Sequence, residues 1–253
     1  MQEHSRESTY NCSKCWDEFG GKYDEKYRIK CPCILSFGNP VGKPILIVCM
    51  NPASDAYCYE GSNPGDGQLI DRNNPKLEQE NYFEKKKFRP FFDKLWTLFK
   101  GPDQPLKDAI FGGTWYKYPW DKVAVVDVVK CPTKETWTKI NDNKLKTAML
   151  KNCRPYLEQQ INDKNLKIII AYGSSACEYF TDYAKDIPYW DVIKSKLNDK
   201  VNVILIPQAQ STPFRKPERF WFQNTILELL GSEKRIDIKD IKHTFEIDLY
   251  TSS

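Results

Sequence analysis

Four short apolar runs constrain this chain more than any other feature: PILIVCM (44–50), KVAVVDVVK (122–130), LKIIIAYG (166–173) and VNVILIP (201–207). They are rich in β-branched residues and nearly continuous rather than alternating, the pattern of parallel strands covered on both faces. Between them lie stretches with apolar residues at helical spacing: FRPFFDKLWTLFK (88–100), NKLKTAMLKNCRPYLEQQI (143–161) and SSACEYFTDYAK (174–185). PERFWFQNTILELLG (217–231) adds a proline near a helix start and a glycine at its end. Strands alternating with helices predict an α/β fold. The expected form is a single three-layer domain over residues 1–231, with a central four-stranded parallel sheet flanked by helices. Residues 54–86 read as an insertion or mobile loop after the first strand, and 232–253 as a C-terminal extension. Ligands of open α/β sheets gather beyond the carboxyl ends of the strands, which is where the informative residues fall.

Bulk properties narrow the chemistry. The 253 residues are 40% hydrophobic and 28% charged, as in an ordinary soluble globular protein. No apolar run approaches the roughly 20 residues of a membrane span. The polar start MQEHSRESTYNCSKC lacks the apolar core of a signal peptide, so a cytoplasmic protein is expected; a monomer with no membrane partner is expected as well. A net charge of +4 permits nucleic-acid binding without arguing for it. The two histidines, His4 and His243, lie near the ends of the sequence, which excludes histidine catalysis from the middle of the fold unless an end folds back.

Nine cysteines say more. In a reducing compartment, clustered cysteines more often hold metal than form disulfides. Cys12 and Cys15 form a C-x-x-C pair, Cys131 closely follows the second strand, and Cys153 sits on the next helix. Together they could supply the four thiolates of a [4Fe–4S] cluster or of structural zinc. A second pair, Cys31 and Cys33, could replace one of these four. Cys49, Cys58 and Cys177 read as packing residues.

Asp127 poses a separate problem. It stands in VAVVDVV, an apolar strand where a bare carboxylate costs several kcal/mol unless something pairs with it. Either a ligand meets it, or it is tied to a nearby lysine, arginine or backbone amide.

In their order, these pieces resemble the uracil-DNA glycosylase superfamily, most closely its iron–sulfur branch. The C-x-x-C pair is followed by FGNPVGKPILIVCMNPA, then by Asp127-Val-Val-Lys-Cys131, where the family has Asn-Val-Val-Lys-Cys. CRPYLEQQI matches a Cys-x-Pro-x-Leu helix, IIIAYGSSA a strand with Gly-x-x-Ala, and PQAQST the position of a His-Pro-Ser motif. The resemblance implies a DNA N-glycosylase fold with a Cys-bound cluster through Cys12, Cys15, Cys131 and Cys153. It also implies a water-positioning role for Asn51 and a base-reading position at Asp127. Tyr57 and Tyr59 become base-stacking partners. Ser174 and Ser175 become phosphate contacts at a helix start, and Thr212, Phe214, Arg215 and Lys216 a DNA-inserting loop with flanking cations.

Two departures carry chemical weight. An ionised aspartate only accepts hydrogen bonds, so Asp127 would suit a base presenting an amine, or would read a carbonyl only when protonated. Gln210 stands where the family has the histidine that stabilises charge on the leaving base. Its amide donates a hydrogen bond but carries no charge. The reaction expected from the resemblance is hydrolysis of the N-glycosidic bond of a uracil or other altered base in DNA. The alternative is a nucleic-acid or nucleotide binding module of the same fold that has lost the chemistry.

Overall fold

The computed structural model describes residues 12–29, 33–51, 75–84, 91–92, 95, 98–99, 122–181, 191–207 and 216–233. All four expected strands form: β1 (Ile45–Cys49), β2 (Val123–Asp127), β3 (Ile168–Tyr172) and, in the place of the fourth run, β5 (Asn202–Ile206). A fifth strand, β4 (Asp191–Lys194), is added at the edge. Its sequence DVIK lacks the long apolar run of the others because only one neighbour covers it. The order is β2-β1-β3-β5-β4, parallel throughout except for the antiparallel β4–β5 pair. Among the described residues the sheet therefore has five strands rather than four.

β1, β2 and β3 are buried at nearly every position, which is why their sequences do not alternate. One face carries Leu46, Val48, Ala124, Val126, Ile169, Ala171, Val203 and Leu205. Against it pack Leu157 and Ile161 of a long helix, and Cys177 and Phe180 of a short one. Each fully buried aliphatic side chain stabilises by roughly 1.5–3 kcal/mol.

The long helix, Asn143–Ile161, follows two short ones near the start, α1 (Lys14–Asp17) and α2 (Asp24–Tyr27), and α3 (Pro75–Glu80). It is α4; the short helix over the sheet, Ser174–Phe180, is α5, and Lys216–Leu229 is α6. Asp142 caps α4 by accepting from Leu145 N at 3.0 Å, and its other carboxylate oxygen takes the Tyr23 hydroxyl at 2.6 Å. α5 opens at Gly173, whose φ of 91° only glycine adopts without strain. The 174–185 stretch is helical to Phe180. Within the expected 54–86 insertion, α3 and the turn Tyr82–Glu84 are packed structure: Gln79 is fully buried and Tyr82 stacks edge-on against Phe37 at 5.0 Å.

The chain divides into two compact units, Met1–Arg89 with Trp120–Ala209, and Pro90–Pro119 with Gln210–Ser253. The first contains the sheet. In the second, α6 is held by Gln223 Nε2 donating to Leu98 O at 3.0 Å and by Phe222 packed edge-on against Phe99. α6 ends as its glycine signalled: Gly231 has φ 76°, and Ser232 N donates back to Leu227 O at 2.9 Å. No described helix is long and apolar enough to cross a membrane.

Candidate functional site

Sheet topology localises the site before any side chain is considered. The connection from β1 leads to β2 on one side, and that from β3 leads to β4 and β5 on the other. The order thus reverses between β1 and β3, and a crevice opens beyond their carboxyl ends at such a switch point. Asn51 follows β1, Gly173 and Ser174 follow β3, and Asp127 ends β2 directly beside Cys49 of β1.

The β1–β2 pairing continues past the strands, with Val128 N donating to Cys49 O and Val129 N to Met50 O, both at 2.9 Å. This extension fixes the course of the chain into Asn51 and Lys130. Asn51 is half-buried and donates from Nδ2 to Thr133 Oγ1 at 2.8 Å, while Thr133 donates to Glu135 O at 2.6 Å. The amide is thereby oriented by a buried threonine that the sequence alone did not single out. Ser174 is exposed and Ser175 half-buried at the start of α5. Tyr57, Tyr59, Gln210, Thr212, Phe214 and Arg215 lie outside the described residues. Lys216 begins α6.

Asp127 is 3% exposed and Lys130 1%. Among the described residues no hydrogen-bond donor reaches the Asp127 carboxyl oxygens. Burial pushes this carboxyl up to about 7, against the pull of the Lys130 charge. Burial likewise brings Lys130 down to about 8, with Asp127 holding it up. The ammonium is occupied elsewhere. It donates to the main-chain oxygen of Asp127, to Gln160 Oε1 at 2.8 Å and to Leu35 O at 3.3 Å. Lys130 answers the question of a nearby partner only in part: it supplies charge at short range while its hydrogen bonds go to carbonyl oxygens. A lysine three residues past an aspartate at a strand end was the available sequence signal.

Beyond β2 the thiols gather. Cys15, Cys33, Cys131 and Cys153 are each 1–3% exposed, and Cys12 is half-buried beside them. Cys33 Sγ lies 3.6 Å from Cys131 Sγ. Cys15 interacts electrostatically with Cys131 and Cys153, and Cys131 with Cys15, Cys33 and Cys153. Contacts with neighbouring thiols set the directions of their acidities: Cys153 and Cys33 are pulled well down, and Cys131 is pushed well up. The contact with Cys131 lowers Cys15, but its contact with Cys153 and burial outweigh this and push it to about 12. The contact with Cys33, then burial, raises Cys12. Lys130 N donates to Cys153 Sγ at 3.3 Å and Asn152 Nδ2 to Cys15 Sγ at 3.5 Å. Cys49 and Cys177 lie apart from this group in the sheet and α5, as packing residues would.

As the side chains stand, no group of three or more His, Cys, Asp or Glu among the described residues is arranged to hold a metal ion. The chemistry of the donor set nevertheless fits a thiolate-bound group: five cysteines converge, and two N–H donors point at sulfur. The 3.6 Å separation is close to the roughly 3.8 Å edge of a tetrahedron with Zn–S of about 2.3 Å. The thiolates of a four-iron cubane radiate from separate corners and stand further apart, so that group would need this pair to open.

Gln79 of α3 holds the segment that carries Cys33. Its Nε2 donates to Cys33 O at 2.9 Å, and its Oε1 accepts from Leu35 N at 2.8 Å. Its place within a polar insertion gave no sequence signal for this role.

No curated protein matches the chain. The family model described as the uracil DNA glycosylase superfamily matches residues 35–230, a span that takes in every strand of the sheet, Asn51, Asp127 and α4. With that match over most of its length and a largely parallel α/β sheet of this topology, the chain belongs to the uracil DNA glycosylase superfamily.

Proposed function

We propose that this protein is a DNA glycosylase that hydrolyses the N-glycosidic bond of a uracil or other altered base through a water positioned by Asn51. The observation that carries the reading is the Asn51–Thr133 bond at the switch point. The bond to Thr133 fixes the plane of the Asn51 amide, whose oxygen would orient the water. An amide is a poor base, so catalysis would rest on positioning and on stabilising the charge that builds on the leaving base. The target nucleotide must be flipped out to enter such a crevice. Asp127, at the end of β2, would meet the edge of the flipped base. Gln210 would donate to the departing base, with Tyr57 and Tyr59 stacking and Ser174, Ser175, Thr212, Phe214, Arg215 and Lys216 contacting DNA.

Within the same reading, Cys15, Cys131 and Cys153 with a further thiol hold an iron–sulfur cluster, or zinc in its place. Buried thiols with N–H donors aimed at sulfur support this. When bound, the group would act as a structural cross-link between the N-terminal segment, the end of β2 and α4. Brown colour and visible charge-transfer absorption of the purified protein would separate iron from zinc.

A second reading is a binding module that has lost catalysis. It is favoured by a carboxyl at position 127 where relatives carry an amide, and by the uncharged Gln210. The test is a panel of labelled oligonucleotides with different altered bases, in single and double strands, followed by alkaline cleavage of abasic sites. Strand breaks for at least one base are expected. Binding with no break for any base would leave the binding module standing.

A further inference from the structure

We propose that Cys33, rather than Cys12 of the C-x-x-C pair, is the fourth thiolate beside Cys15, Cys131 and Cys153. This rests on the metal-binding part of the reading above and concerns which of the five described thiols takes part, Cys31 lying outside the described residues. The contact pattern separates them. Cys33 Sγ lies 3.6 Å from Cys131 Sγ, and Cys15 and Cys153 interact electrostatically with Cys131 and with each other. Cys33 is thus joined directly to the centre of the group. The Cys12 thiol interacts chiefly with Cys33 and more weakly with Cys15.

Burial divides the five in the same way. Cys15, Cys33, Cys131 and Cys153 are all nearly inaccessible, whereas Cys12 is only half-buried. Backbone anchoring agrees. Ile34 N donates to Lys130 O at 2.8 Å, which ties the residue after Cys33 to the residue before Cys131. Gln79 holds the Cys33 carbonyl from the other side. Cys33 is therefore placed by two independent elements, α3 and the end of β2. Were the metal bound, each of the four would hold it as a thiolate through a sulfur lone pair, with any proton still on sulfur released to solvent. The Cys33 Sγ contact with Cys12 O at 3.5 Å, in which the thiol donates, is given up in that step.

The test uses the full chain purified without oxygen, and the variants Cys12→Ser and Cys33→Ser. Native mass spectrometry counts iron, sulfide or zinc on folded molecules only, so a variant that partly unfolds still reports. The visible spectrum and retention against a chelator are read in parallel. Cys12→Ser is expected to keep wild-type metal content and spectrum. Cys33→Ser is expected to lose retention by about tenfold or more, since even indirect ligand partners commonly cost that much. Loss in Cys12→Ser with retention in Cys33→Ser, or equal loss in both, overturns the assignment. A folded wild-type chain that carries no metal, and takes up none when its reduced form is titrated with Zn²⁺, defeats the metal-binding reading itself.

Discussion

The Lys130 ammonium donates to the main-chain oxygen of Asp127, not to its carboxyl, and both residues are almost wholly buried. Charge is present beside Asp127 without a hydrogen bond from any described residue to disperse it. The carboxyl is therefore raised towards neutrality, to about 7, and in its neutral form it has one donor and one acceptor, as an asparagine amide has.

This relationship has a sign in pH. A folded-state value of about 7 against the ordinary 3.8 favours the protonated carboxyl in the folded state. The cost of burying the charge is absent below the ordinary value, grows as pH rises towards 7, and is fully present above it. Asp127→Asn removes the titration. The variant is expected to be more stable than wild type at pH 8, by an amount on the order of 2–4 kcal/mol, and nearly equal to it at pH 4. Urea unfolding across that range, at matched metal content, checks this. A gap that does not change with pH would contradict it.

Removing the cation acts in the opposite direction. Lys130→Met leaves the Asp127 and Leu35 carbonyls and Gln160 Oε1 without this donor. Relief of lysine desolvation offsets part of the loss, but charged hydrogen bonds of about 1.5–3 kcal/mol each outweigh it. Net destabilisation and a further rise of the Asp127 carboxyl are expected, the latter followed by carboxyl infrared bands through a pH titration.

Thr133→Val keeps the shape of the pocket wall while removing the acceptor that orients Asn51. Single-turnover excision should fall by about tenfold with DNA affinity unchanged, because misorientation of a positioning group costs rate rather than binding. Asn51→Ala should fall further. An excision rate that neither substitution changes would argue that the water is held elsewhere.

Gln79→Ala releases the Cys33–Ser36 segment from three hydrogen bonds. At about 1 kcal/mol each, a loss of 2–3 kcal/mol is expected. Amide exchange at Leu35 should accelerate, and Cys33 should become more reactive to alkylation in the metal-free protein.

Asp142→Ala removes both the cap of α4 and the acceptor for Tyr23. A drop of about 1–2 kcal/mol is expected in thermal or urea unfolding. Asp142→Asn should recover part of it, since an amide oxygen also caps.

The sequence by itself determined the strands and the long helix, because burial on both faces writes an uninterrupted apolar run and α4 carries its own cap at Asp142. It marked Asp127 as anomalous, since a carboxylate among valines conflicts with its neighbours at once. It did not supply β4, whose half-exposed residues carry no distinctive period. Only the tertiary structure decided that Lys130 turns its ammonium to three carbonyl oxygens, that Thr133 holds Asn51, and that Cys33 reaches Cys131 across 98 residues of chain. Those contacts join segments whose separation leaves no local pattern. Their energies depend on which side chains the folded sheet edge brings within about 3–4 Å, and spacing along the chain does not encode that distance.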